Sequence, residues 1–144
     1  MVTIEDVESF LIRMGLEYDE LDEGMYLVSN KNGGAPVVVH YSAPLLILRS
    51  KVMDLPPGGE ENAHLFRTLL RLNATDVVHG SYGLEEGELI LSDTLELETL
   101  DFHELQASVE SIQLALSGHI QEIRSLAGVG AGGASAPAEG QVGA

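Results

Sequence analysis

Glu61 and His64 stand three residues apart in a stretch of helical periodicity, so both side chains would leave one helix face and reach a common ion. His119 and Glu122 repeat that spacing in reverse order further along. A carboxylate-rich metal centre of this kind draws ligands from four helices, whereas this chain alternates helical and extended segments. Both pairs therefore read as solvated helix-surface residues. The alternative that uses them is a small metal-dependent or hydrolytic enzyme built on Glu61, His64 and nearby carboxylates. His40 and His79 lie in strand patterns, where a hydrogen-bonded sheet histidine is the usual outcome. His103 falls in the first turn of a helix, where the positive end of the dipole disfavours an imidazolium. His119 occupies a position in the apolar stripe of the last helix. A half-buried imidazole with one polar partner is its plain reading, and a pH- or ligand-sensing contact its sharper one.

Other chemistries find less support. The chain has no cysteine, which removes thiolate catalysis, disulfides and cysteine metal sites. Ser81, in Gly80-Ser81-Tyr82-Gly83, lacks the spacing of a nucleophile elbow. Gly58-Gly59 precedes a helix, but Glu60 and Glu61 follow it and would repel a phosphate. No two carboxylates share an apolar setting that would drive their pKa values apart. The residues thus assign no catalytic group, no cofactor and no metal ligand.

The elements around these residues have clear local signals. Thr3 caps a first helix, with Asp6 completing a capping box and Ile4, Val7, Leu11 and Met14 forming its buried stripe. An acidic extended segment, 16–21, follows, and then strands at 25–29, 36–41 and 45–53. The apolar run 45–48 predicts burial on both faces of its strand. Leu55-Pro56-Pro57-Gly58-Gly59 breaks the chain before a helix over 60–72. Segments 77–84 and 88–91 form a hairpin around Glu85-Glu86-Gly87, and 92–97 leads into the final helix, 102–126. Asp101 and Glu104 supply its capping box, with Leu100 and Leu105 as a hydrophobic staple. Residues 128–144 are nearly all Gly, Ala and small polar types and read as a flexible tail after a single domain over 1–127. Short connections favour an antiparallel sheet with helices packed on it, an α+β fold of order α-β-β-β-α-β-β-α.

Charge narrows the partners. Lys and Arg total 7 against 23 Asp and Glu, a formal net charge of −16 in 144 residues. Such a surface repels nucleic acid and anionic membranes and attracts cationic partners. No leader-like or bilayer-length apolar segment is present, so a cytoplasmic protein is expected. On a helical wheel, Ala63, Leu65, Phe66, Leu69, Leu70 and Leu72 cover an arc of about 180°, wider than packing on one sheet requires. The last helix carries a stripe of only about 100°. The excess on 63–72 suits either a second copy of the chain, with Phe66, Leu69 and Leu70 as dimer or partner contacts, or a helix sandwiched between the sheet and another helix.

The stretch GELILSDTLELETLD (87–101) and the acidic, Leu-rich helix after it resemble the C-terminal half of YbjN-domain proteins, often labelled bacterial sensory transduction regulators. The resemblance spans roughly residues 3–126. Proteins of that type share their element order with class I type III secretion chaperones, which are small, acidic homodimers that hold a secreted partner in a non-globular state. The resemblance implies a secretion-chaperone-like fold, a homodimer, a protein partner and no enzymatic activity.

Overall fold

A computed structural model describes residues 1–31, 33–55 and 62–128. The chain runs α1 (Ile4–Arg13), β1 (Tyr18–Asp22), β2 (Met25–Val28), β3 (Val37–Ser42), β4 (Leu45–Asp54), α2 (Ala63–Thr75), β5 (Ser81–Glu85), β6 (Glu88–Glu96) and α3 (Phe102–Leu126). The strands form one sheet in the order β1-β2-β3-β4-β6-β5, with every neighbouring pair antiparallel. An antiparallel α+β sheet with helices packed on it is thus the architecture.

Both capping boxes form. Thr3 Oγ1 accepts from the Asp6 N–H at 3.1 Å while Asp6 Oδ2 accepts from the Thr3 N–H at 3.0 Å. Asp101 and Glu104 do the same at the start of α3, at 2.8 and 3.0 Å. The β5–β6 hairpin turns through Glu86 and Gly87, whose φ values of 51° and 80° define the two left-handed central residues that match strand twist. Gly80, at φ 96°, opens β5; a Cβ there would lie 2.7 Å from the Ser92 carbonyl oxygen, so only glycine lets the strand start this close to β6.

The core occupies one face of the sheet. Tyr26, Val28, Val37, Val39, Leu46, Leu48, Leu89 and Leu91 are buried at alternating strand positions. They join one cluster with Val7 and Leu11 of α1, Leu65, Leu69 and Leu72 of α2, and Leu105, Val109, Ile112 and Leu116 of α3. All three helices therefore lie on that face.

Several boundaries differ from the sequence reading. The acidic 16–21 segment is a paired strand, β1, giving four strands before α2 and not three. Its polar side chains hid a pairing that the backbone supplies. Residues 92–96 continue β6 and pair with β4 as far as Glu96 opposite Leu45; polar residues alternate there because one face is solvated. Residues 77–80 form a loop, so β5 begins at Ser81 and His79 sits outside the strand. The run 45–48 is not buried on both faces: Leu46 and Leu48 are fully buried, whereas Leu45 and Ile47 lie half-buried on the helix-free side. Glu61, most of the Pro-Gly breaker and the 129–144 part of the tail fall outside the described residues.

Candidate partner-binding surface

Helix α2 packs along β5, an edge strand of the sheet. Its apolar arc divides between inside and outside. Leu65, Leu69 and Leu72 enter the core, Phe66 is half-buried, and Leu70 remains 69% exposed. Leu84 of β5, 55% exposed, stands beside it. Together with Leu69, Tyr82 and Leu89 these side chains line an apolar concavity of about 160 Å³. Phe66, Leu69 and Leu70 all line this concavity.

Asn73, in the last turn of α2, covers the strand edge at Tyr82. Its Oδ1 accepts from the Tyr82 N–H at 2.7 Å and its Nδ2 donates to the Tyr82 carbonyl at 3.2 Å. One amide side chain thereby takes the place of a neighbouring strand and satisfies both outward-facing backbone groups of Tyr82. The Tyr82 ring turns inward, and its hydroxyl lies 2.8 Å from His119 Nδ1 on α3. His119 Nε2 in turn lies 3.4 Å from Asp76 Oδ2 at the end of α2. With a carboxylate at Nε2, the neutral ring carries its proton there and accepts from the Tyr82 O–H at Nδ1.

This Tyr82–His119–Asp76 chain ties three elements together. Burial, followed by the Asp76 charge, pushes the Tyr82 hydroxyl above the ordinary tyrosine range. That is the wrong direction for a phenolate nucleophile. The Thr75 hydroxyl, with help from His119 and Arg71, holds the Asp76 carboxyl below the usual aspartate range.

The remaining histidines and carboxylates disperse. Glu122 faces Arg71 at 3.9 Å while His119 turns to Asp76, so this pair does not converge on a common point. His64 is exposed on α2, His40 is half-buried on the helix-free face of β3, and the His103 ring packs edge-on against Phe102. No group of three or more His, Asp and Glu side chains that would hold a metal ion occurs among the described residues. No described helix is long and apolar enough to cross a membrane.

The opposite edge is built differently. β1 carries Asp19, Glu20 and Asp22, with a register shift between Glu20 and Asp22. Tyr18 anchors it by donating its hydroxyl proton to Glu8 Oε2 of α1 at 2.8 Å, and Leu21 of β1 and Ile12 of α1 are exposed. The residues that sequence reasoning missed are Asn73 and Leu84: the first reads only as a helix end, the second only as a strand residue.

A six-stranded antiparallel sheet with all three helices on one face is an α+β fold of the secretion-chaperone-like type. The CesT_Tir_1 family model matches residues 1–128, and the chain belongs to that family. Solved structures share the fold. The ExoU–SpcU complex of the Pseudomonas aeruginosa type III secretion system contains a chain that is 14% identical, with TM-score 0.63 over 79% of this chain and 94% of that one. YbjN from E. coli is 11% identical, with TM-score 0.58 over 81% of this chain and 90% of YbjN. The Yersinia pestis secretion chaperone SycH, in complex with a fragment of YscM2, yields a match of 16% identity and TM-score 0.57 over 81% and 98% of the two chains. No curated protein matches the chain in sequence.

Proposed function

We propose that this chain is a non-enzymatic, cytoplasmic protein-binding module, chaperone-like or regulatory, that acts as a homodimer through α2 and β5. The observation that carries the dimer is the pairing of exposed Leu70 and Leu84 around an apolar concavity beside an edge covered at Tyr82 by Asn73. With the Tyr82 backbone satisfied, association at this concavity gains its free energy chiefly from side-chain burial. A two-fold axis beside α2 would set Leu70 of each copy against Phe66 and Leu69 of the other. A protein partner is supported by the similar folds: SpcU is in complex with ExoU, SchA with HopA1, and ExsC with ExsE. Sedimentation equilibrium at micromolar concentration tests the dimer. A monomer at that concentration overturns it, and a dimer that survives Leu70→Asp overturns the placement of the interface.

A further inference from the structure

A second apolar surface lies on the other side of the Tyr82–His119–Asp76 tie. Val78 is 79% exposed and Leu114 67% exposed, the one in the loop before β5 and the other on α3. With Ala107 and Ala115 they line a groove of about 420 Å³ between that loop and the helix. The positions from 107 to 115 run along about 12 Å of α3, roughly two helical turns. The groove is held in shape before anything binds. Ser111 Oγ accepts from the His79 N–H at 2.9 Å and lies 3.1 Å from the His79 carbonyl, pinning the loop to the helix. His119 and Asp76 fix the loop's near end.

The formally charged side chains that line this groove are both carboxylates, beside His79 and His119, while Arg71 acts on Asp76 from outside the lining. Asp76 and Glu110 stand at its rim, and no Lys or Arg lines it. Glu110 has no ion-pair partner among the described residues, and the Asp76 carboxyl is held in its ionised form by Thr75. Arg49 and Lys51 are engaged on the opposite face of the sheet by Glu85, Glu88 and Asp54. In a chain of net charge −16, a second copy would bring carboxylates to carboxylates here. We propose that this groove docks a basic amphipathic helix of a partner protein. Its apolar ridge covers Val78 and Leu114, and its lysine or arginine side chains meet Asp76 and Glu110. This assignment deepens the protein-binding reading and rests on it, but not on the α2–β5 dimer.

The test uses the full chain and a synthetic amphipathic Leu/Lys helix carrying one Trp. The chain has no Trp, so indole emission reports the peptide alone. The parent chain binds the peptide, and the Leu/Glu analogue does not bind. Leu114→Asp and Val78→Asp, on opposite walls and at exposed positions that folding tolerates, each weaken binding by about tenfold or more. Leu70→Asp leaves the affinity within about twofold, which separates this groove from the dimer surface. The proposal fails if the parent does not bind the Leu/Lys helix, or if the Leu/Glu helix binds equally. It also fails if both groove variants bind as the parent does, which is attraction to the acidic surface at large. Loss of binding in Leu70→Asp with retention in Leu114→Asp moves the peptide to α2–β5 and likewise overturns it. A monomeric parent that shows the expected peptide pattern removes the dimer and leaves the groove.

Discussion

At one edge of the sheet β1 presents three acidic side chains and an irregular register; at the other, β5 is clasped by the amide of Asn73 and bordered by Leu70 and Leu84. Both devices stop indiscriminate strand pairing, yet by different physics. Charge keeps β1 hydrated and penalises an acidic neighbour. The Asn73 clasp satisfies the backbone of Tyr82, and apolar side chains surround it at β5. One edge is marked by charge and the other by an apolar concavity.

The contrast is most easily broken at Leu70. Leu70→Asp places a carboxylate in the proposed interface, and the dimer dissociation constant should rise roughly a hundredfold or more, measured by sedimentation. Glu20→Gln should leave that constant unchanged. Asn73→Ala comes next. It strips two hydrogen bonds from a partly buried strand edge and should cost about 1–3 kcal/mol in urea unfolding, with larger oligomers appearing as β5 becomes available for pairing. No change in either stability or size distribution would mean the clasp has no role. Tyr82→Phe removes the hydroxyl that meets His119 and should cost about 0.5–1.5 kcal/mol, leaving the dimer intact. A loss on the scale of a cavity mutant would show that the ring and not the hydrogen bond was disturbed.

The smallest effects belong to exposed carboxylates. Asp19→Asn or Glu20→Gln should shift stability by no more than about 0.5 kcal/mol, in keeping with solvated edge charges. Asp6 and Asp76 both titrate below the usual aspartate range, Asp6 chiefly through the Thr3 backbone N–H and Asp76 chiefly through the Thr75 hydroxyl. A depressed folded-state value contributes stability that is present above the unfolded-state pKa and lost as pH falls through the folded one. Acid unfolding curves of Asp6→Asn and Asp76→Asn should therefore be flatter than the parent's below the ordinary carboxylate range. Equal slopes would refute the assigned hydrogen bonds.

Where local chemistry sufficed, the elements were legible in advance. Thr3 with Asp6 and Asp101 with Glu104 announced both capped helices because each partner lies within one turn. Glu86-Gly87 marked its hairpin by the same local logic. Segment 16–21 reads as extended but not as a paired strand, since its pairing with β2 leaves no trace in an acidic one-sided edge. The end of β6 is hidden in the sequence for a related reason. Thr94 and Glu96 face solvent, and Asp93, on the core face, accepts the Ser108 hydroxyl at 2.7 Å, so the strand looks polar.

Residue types and their spacing alone determined the capped helices, the antiparallel α+β arrangement, the acidic exterior and the excess apolar arc on the second helix. Each of these depends on contacts within a turn or a hairpin, or on composition. Tertiary packing alone decided which leucines of that arc face outward, that Asn73 meets the backbone of Tyr82 nine residues on, and that Tyr82 and His119, 37 residues apart, share a hydrogen bond. Those contacts depend on how α2 and α3 settle on one face of a six-stranded sheet. No local rule encodes that placement, because the burial of many side chains at once sets it.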